Sequence, residues 1–129
     1  MLKLSFSKNR INLIHSFGIS RSSNDYYDII YVYIIDGDFI GRGEAAPSKR
    51  YGESSELILS VLESGIKVPE NYQSREHLWD FLKPQLRKIA SLEAAVNMAV
   101  WDLSTQKQNI PLYKSFGFEN ITLPKTSYT

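Results

Sequence analysis

Residues 29–45, IIYVYIIDGDFIGRGEA, are the part of the chain that most narrowly limits its fold. The first seven of them are β-branched or aromatic, which favours a well-buried strand. The Asp36-Gly37 pair that follows is a strong signal for a tight hairpin turn, and the chain is predicted to return as a partner strand. Gly41 and Gly43 weaken the strand propensity there, which indicates a bulge or the close approach of another backbone. The segment therefore predicts two antiparallel strands.

A further strand and a loop are predicted before this hairpin. Apolar and polar residues alternate from Leu2 to Phe6, which is the period of a half-buried strand. Residues 15–28, HSFGISRSSNDYYD, interrupt the alternation with glycine, serine, asparagine and aspartate, and this predicts a long loop. Residues 1–53 are thus predicted to form a three-stranded antiparallel sheet. Its two polar loops, 15–28 and 46–53, leave the same small sheet and can lie side by side as a binding edge.

From Ser54 onwards the apolar spacing is that of helices. Ser54, Ser74 and Ser91 each stand where a side chain can cap a helix N-terminus. The third helix, predicted over 91–108, has little polar surface, so most of its circumference should be buried. Residues 54–117 are predicted to form a small helical bundle, and the fold class is α+β.

Composition limits the classes of function. The chain has 129 residues, which favours one domain, and its net charge of +1 gives no electrostatic argument for nucleic acid or anionic membrane. Cysteine is absent, which excludes disulfides, thiolate metal sites and cysteine nucleophiles. The start, MLKLSFSKNR, lacks the apolar core of a signal peptide, and the longest apolar run is too short to cross a bilayer. We therefore expect a cytoplasmic protein.

The individual polar residues do not form a recognisable active site. His15 and His77 fall in different elements, so a strand edge and a helix surface are favoured over a metal or catalytic pair. Asp36 and Asp38 flank a glycine, but no calcium-loop pattern follows, so turn chemistry is favoured. Asp102 lies on the apolar third helix and is expected to hydrogen-bond to a neighbouring element. We predict no catalytic residue and no metal ligand in this chain.

Four stretches occur in a fixed order along the chain: GISRSS at 18–23, GRGEAAPSKRYGES at 41–54, AAVNMAVWDLSTQKQNIPLYKSFG at 94–117 and ITLPKTSYT at 121–129. Together they resemble the N-terminal capping domain of the enolase superfamily, most closely that of the dipeptide epimerases. The first two are similar to the specificity loops of these caps, and the Arg-Tyr-Gly-Glu ending of the second is typical of the dipeptide epimerase branch. The third is similar to the long cap helix.

The resemblance implies that a second domain carries the catalytic and metal-binding residues. Residues 1–120 are expected to form the capping domain, and residues 121–129 to begin the linker and first strand of a (β/α) barrel. In this superfamily the barrel carries acid–base lysines and three carboxylates that hold Mg²⁺. We therefore expect no activity from this chain alone and no cofactor bound by it. Mg²⁺ would be bound in a full-length parent, an isomerase related to mandelate racemase and muconate lactonizing enzyme.

The resemblance also implies which residues touch a small-molecule substrate, a dipeptide shared with the barrel. Arg21 is the best candidate to bind a substrate carboxylate, because a planar guanidinium suits that geometry. Ile19, Arg50 and Tyr51 are candidates for the pocket wall. No nucleic acid or membrane partner is expected, and self-association through the barrel-facing surface is predicted for the isolated chain. Two alternatives stay open: the lid of a succinylbenzoate synthase or a cycloisomerase, and a stand-alone binding or assembly module.

Overall fold

The computed structural model describes residues 1–19, 22–119 and 122–126, and only the backbone of 17–19 and 22–24. Within these residues the chain forms three strands: β1 (Leu2–Ile19), β2 (Ser22–Asp36) and β3 (Phe39–Ala45). Helices then follow in the same described part of the chain: α1 (Ser55–Glu63), α2 (Arg75–Leu82), α3 (Ala90–Gln108) and the short α4 (Leu112–Ser115). The predicted α+β class and the order of sheet before helices are confirmed.

The strands form one antiparallel sheet in the order β1-β2-β3. The predicted hairpin turn is confirmed at Gly37, whose φ of 61° lies in the left-handed region that glycine adopts without strain. On the central strand β2, Ile30, Val32 and Ile34 are fully buried, because alternate side chains of a strand point to the same face. That face is the one that packs against the helices.

The prediction of a long loop over residues 15–28 is wrong for the described residues 15–19 and 22–28, which form strands, and residues 20 and 21 lie outside the described residues. β1 and β2 remain paired almost to their ends, with Asn12 opposite Tyr26 and Phe17 opposite Asn24. β1 contains more residues than β2 between these two pairs, so the register shifts there, as in a β-bulge. A long-range backbone ladder therefore outweighs the weak strand propensity of the glycine, serine and asparagine residues in this segment.

The predicted caps are confirmed for α1 and α2 and wrong for α3. The backbone N–H of Leu57 donates to Oγ of Ser54, and that of His77 donates to Oγ of Ser74, both at 3.1 Å. α3 begins at Ala90, one residue before the predicted cap Ser91, and its own N-cap side chain makes no capping hydrogen bond. An acceptor from a distant part of the chain takes that place, as described below.

The helix α3 packs along the sheet, but the prediction that most of its circumference is buried is not met, because Ala90, Ala94 and Met98 form an exposed stripe. Its buried residues are Leu92, Ala95, Val96, Ala99, Val100, Leu103 and Thr105. Ile58 of α1, and Leu78 and Leu82 of α2, complete the same core. Burial of each leucine, isoleucine or valine side chain among them contributes about 1.5–3 kcal/mol to the hydrophobic driving force.

The strand β3 lies unusually close to α3, which confirms the close approach predicted at its glycines. A Cβ atom built on Gly43 would lie 1.8 Å from the carbonyl oxygen of Ala95, and one on Gly41 would lie 2.0 Å from that of Ala99. Only residues without a side chain fit at these two positions. The resulting contact places the helix backbone directly on the strand.

Polar side chains of α3 bind the outer edge of β3. The backbone N–H of Arg42 donates to Oδ2 of Asp102 at 2.8 Å, and Nε2 of Gln106 donates to the carbonyl of Ile40 at 2.8 Å. The hydrogen bond predicted between Asp102 and a neighbouring element is therefore confirmed. These contacts satisfy edge groups that would otherwise be open to pairing with another strand.

A hydrogen-bonded cluster ties the β2–β3 turn to the helical half. Nζ of Lys107 donates to Oδ2 of Asp36 at 2.5 Å and to the hydroxyl of Tyr72 at 2.9 Å, and Tyr72 donates to the same carboxylate at 2.8 Å. The Lys107 ammonium and then the Tyr72 hydroxyl lower the pKa of Asp36. The carboxylate in turn raises the pKa of Lys107. The charged forms of Asp36 and Lys107 are thus favoured in the folded state.

We predict that Asp36→Asn lowers the free energy of unfolding at pH 7 by about 1–2 kcal/mol, because charge-assisted hydrogen bonds are lost. A carboxyl group whose pKa is lowered by folding stabilises the protein above its unfolded pKa, about 3.9. That stabilisation is lost as the pH falls through the folded pKa, so the wild type and the variant should converge in acid. Urea unfolding between pH 7 and pH 2 measures this. The exposed neighbour Asp38→Asn is the control, and an equal loss in both variants would contradict the prediction.

No helix in the described part of the chain is both long and apolar enough to cross a bilayer.

Candidate functional site

The two predicted loops begin at the same end of the sheet. β3 ends at Ala45, which pairs with Ile30. β1 and β2 continue past this point as a projecting pair of antiparallel strands, which we call the hairpin arm (residues 9–19 and 22–29). The chain leaves β3 at the same level to form the second loop. The sheet therefore presents an arm and a loop side by side, although the first is built as paired strands.

An ion network connects the base of the hairpin arm to the start of α1. Nζ of Lys8 lies 2.9 Å from Oε1 of Glu56 and 3.5 Å from Oδ2 of Asp28. Arg10 donates two hydrogen bonds to the two oxygens of Asp28, at 2.7 and 2.9 Å. Hydrogen bonding from Lys8 lowers the pKa of Glu56 to about 2, and Arg10 lowers the pKa of Asp28. Solvent-exposed pairs of this kind contribute little stability, so we assign the network mainly to orienting the arm.

The hairpin arm carries apolar surface that the core does not use. Ile14 is 94% exposed, and Ile11 and Tyr26 are also exposed. The Arg10 guanidinium lies over the Tyr26 ring, with Cζ 3.8 Å from the centroid, a cation–π contact that stiffens the base of the arm. Such a surface suits contact with a ligand or with another part of a larger protein.

The second loop forms a short closed turn, which we call the tip loop (Ser48–Glu53). The backbone N–H groups of Tyr51 and Glu53 both donate to the carbonyl of Ser48, at 3.0 and 3.2 Å. Gly52 closes the turn with a φ of 71°. Arg50 and Tyr51 project outwards, and Tyr51 is 71% exposed. The Arg50 Cζ lies 5.9 Å from the centroid of the Tyr51 ring. The tip loop thus holds one cationic and one aromatic side chain in the solvent.

Glu53 anchors the tip loop from below. Its side chain is buried, and its two carboxylate oxygens accept hydrogen bonds from different elements. Oε2 accepts from the backbone N–H of Ser48 at 3.4 Å, and Oε1 accepts from that of Ser91, in the first turn of α3, at 3.2 Å. Burial by itself raises the pKa of Glu53, but hydrogen bonds from Ser91 and from the backbone N–H groups of Ser48 and Ala90 outweigh it, so the pKa is lowered. Glu53 is therefore the acceptor that replaces a local cap on α3.

The chain was compared with known proteins, and no protein-family model matches it. An L-Ala-D/L-amino acid epimerase from Maribacter sp. is 27% identical over 130 residues, which span 99% of this chain and 38% of that protein. The L-Ala-D/L-Glu epimerase of Escherichia coli is 30% identical over 113 residues, which span 88% of this chain and 33% of that protein.

Solved structures of dipeptide epimerases and their homologues are also similar to this chain. An enolase family member from Agrobacterium tumefaciens, described as homologous to dipeptide epimerases, superposes with a TM-score of 0.70 and 27% identity over 92% of this chain and 35% of its own. The dipeptide epimerase of Cytophaga hutchinsonii superposes with a TM-score of 0.84 over 97% of this chain and 35% of its own, at 22% identity. By sequence and by fold the chain is similar to the N-terminal third of these enolase-superfamily proteins, consistent with a capping domain, and we refer to it as the capping domain. It spans about a third of the length of these relatives.

The candidate substrate residues of the capping domain fall in two groups. Arg50 and Tyr51 lie together on the tip loop, exposed and side by side. Ile19 is the last residue of β1 in the hairpin arm, and its side chain lies outside the described residues, as does the whole of Arg21. The arm and the tip loop share one end of the sheet, but whether the four side chains meet stays a prediction.

Glu53 is the residue of this site that sequence reasoning missed. It stands directly before the cap Ser54, where an acid is ordinary because the helix dipole favours negative charge near an N-terminus. Its partner Ser91 is 38 residues away, and no local pattern connects the two. A buried glutamate among backbone N–H groups is visible only in the folded capping domain.

The described residues of the capping domain contain no group of three or more histidine, aspartate or glutamate side chains that could hold a metal ion. His15 and His77 are exposed on β1 and α2 respectively, in the strand and helix positions predicted for them. A shallow cavity of about 490 Å³ lies between α2, α3 and α4, and Arg75 and Trp101 line it. Neither Arg50 nor Tyr51 lines that cavity, so it is separate from the tip loop.

Proposed function

We propose that this capping domain is the substrate-covering lid of a dipeptide epimerase. The observation that carries the proposal is the alignment of 99% of the chain with a protein named an L-Ala-D/L-amino acid epimerase. Because the chain spans only 38% of that relative, the activity is proposed for a whole protein of which these residues form the lid. Epimerisation removes and returns the proton on the α-carbon of one residue of the dipeptide.

In this proposal the hairpin arm and the tip loop close over the bound dipeptide. Closure excludes water, which strengthens electrostatic interactions and protects the carbanion-like intermediate from solvent. Arg21 binds a substrate carboxylate, and Ile19, Arg50 and Tyr51 form part of the pocket wall. The exposure of Arg50 and Tyr51 at the end of the sheet that also carries the arm supports this arrangement.

A cation beside the substrate carboxylate would stabilise the charge that develops when the α-proton is removed, and structure neighbours such as the Cytophaga hutchinsonii enzyme are complexed with Mg and a dipeptide. The described residues do not fit that ion, since they offer no cluster of suitable ligands. We therefore propose that Mg²⁺ is held by the part of the protein that lies outside this chain. No step of the reaction is assigned to a residue of the lid.

A surface for that second part is present near the carboxyl end of the described chain. Between residues 110 and 118, five large apolar residues are exposed: Ile110, Leu112, Tyr113, Phe116 and Phe118. The Phe116 ring packs against Trp101 of α3, with centroids 4.7 Å apart, so the group is anchored to the helical half. We propose that this surface packs against the barrel, and that it drives self-association when the barrel is missing.

Deuterium exchange tests the proposed activity. The complete protein from the reading frame that contains these residues, incubated with L-Ala-L-Glu and Mg²⁺ in D₂O, should incorporate deuterium at one α-carbon. Proton NMR would show the loss of that α-proton signal, and a chelator should abolish the exchange. A folded, metal-loaded protein that exchanges no member of a dipeptide panel would contradict the proposal. Turnover of a hydroxylated cyclohexadiene carboxylate or a muconate instead would favour the synthase or cycloisomerase alternative.

A further inference from the structure

Among the contacts of the described residues, only hydrogen bonds within its own backbone and those of Glu53 hold the outer part of the tip loop. Two backbone hydrogen bonds to Ser48 and one from Gly52 to Lys49 close the turn. The side chains of Arg50 and Tyr51 lie beside each other and extend into solvent. A turn with so few anchors samples other conformations readily unless something beneath it is rigid.

The element beneath it, the N-terminal half of α3, packs tightly against β3. Glu53 joins Ser48, at the start of the turn, to Ser91, in the first turn of α3. α3 in turn lies against β3 with no space for even a methyl group at Gly43. Among the described side-chain hydrogen bonds, the carboxylate of Glu53 therefore links the tip loop to the contact between α3 and the sheet.

We propose that Glu53 is a positioning residue that holds the tip loop in its substrate-ready conformation before the substrate binds. Glu53 itself does not reach the substrate, because it is buried under the loop. It acts through Arg50 and Tyr51, whose placement it fixes. The inference rests on the proposed function, since pre-ordering of the loop matters for catalysis only if the loop covers a substrate.

The chemistry of a carboxylate suits this role. An ionised glutamate is an acceptor at both oxygens, so it can take one backbone N–H from each element at once. Glutamine keeps one acceptor and turns the other position into a donor, which faces the N–H of Ser48 or Ser91 with the wrong polarity. A Glu53→Gln change therefore keeps the size and burial of the side chain but removes one of the two anchors.

Limited proteolysis measures directly how accessible the tip loop is to cleavage in the capping domain. Trypsin cleaves after Lys49 and Arg50 on the tip loop and after Lys67 in the connection between α1 and α2. The measured quantity is the ratio of cleavage at 49–50 to cleavage at Lys67 in the same sample. We expect Glu53→Gln to raise this ratio at least about threefold, and the control Glu63→Gln, at the exposed end of α1, to leave it unchanged. An unchanged ratio in Glu53→Gln overturns the proposal, even if both cleavage rates rise through general destabilisation.

Steady-state kinetics of the complete protein provide the second test. A loop that must be ordered during binding weakens substrate affinity, so Glu53→Gln should raise KM for the dipeptide by about three- to tenfold with kcat within twofold. A fall in kcat with unchanged KM would overturn the positioning role. Absence of any epimerase activity would count against the proposed function alone, because the trypsin ratio decides the role of Glu53 without it.

Discussion

Replacing Gly43 by alanine is expected to destabilise this capping domain by at least about 3 kcal/mol, at or beyond the upper end of what overpacking costs. The added Cβ would lie 1.8 Å from the carbonyl oxygen of Ala95, which is far shorter than any contact between non-bonded atoms. The atom in the way belongs to the backbone in the middle of α3, so it cannot turn aside as a flexible side chain could. Either the helix or the strand has to move, and the core between them opens. Urea unfolding followed by circular dichroism measures the loss.

Two further variants separate this steric effect from others. Gly37→Ala places a side chain in the left-handed region with nothing within 4 Å, so it should cost only the conformational strain of about 1–2 kcal/mol. Ala95→Gly combined with Gly43→Ala should not restore stability, because the clashing atom is the Ala95 carbonyl oxygen and not its methyl group. Equal losses for the two single glycine variants, or rescue by Ala95→Gly, would contradict the contact between β3 and α3.

Arg21→Ala in the complete protein is expected to have the largest effect on catalysis. If Arg21 binds a substrate carboxylate, as the resemblance to dipeptide epimerases implies, its loss removes a charge-assisted hydrogen bond, which amounts to about 1.5–3 kcal/mol. That corresponds to a fall in kcat/KM of about ten- to a hundredfold for acidic dipeptides, carried mainly by KM. A neutral dipeptide should be affected far less.

The control for charge alone is Arg21→Lys, which keeps the positive charge but loses the planar, bidentate geometry. It should fall between the wild type and Arg21→Ala on acidic substrates. Equal effects of Arg21→Ala on acidic and neutral dipeptides would contradict contact with the acidic side chain, because both kinds of dipeptide carry a C-terminal carboxylate. This prediction, the deuterium exchange and the proteolysis of the tip loop test three separate links between the fold and the proposed function.

Much of the candidate site depends on contacts that are distant in the sequence. Arg50 and Tyr51 could be placed on a loop from the Pro, Lys, Arg and Gly around them. Their anchor Glu53 could not be identified, because it binds a helix that begins 37 residues later, and the same glutamate beside Ser54 also fits a purely local role. The role of Arg21 in binding a substrate carboxylate stays a prediction based on resemblance.

The sequence by itself determined the elements whose signals are local. The hairpin at 29–45 follows from β-branched residues around an Asp-Gly turn, and the caps at Ser54 and Ser74 follow from hydroxyl groups within three residues of the N–H groups they accept from. Only the tertiary structure decided that residues 15–19 and 22–28 form strands and that α3 is capped by Glu53. In the arm, cross-strand backbone hydrogen bonds override weak residue propensities. At α3, the best acceptor is brought in from another element once the chain has folded, and no sequence window of a few residues contains both partners.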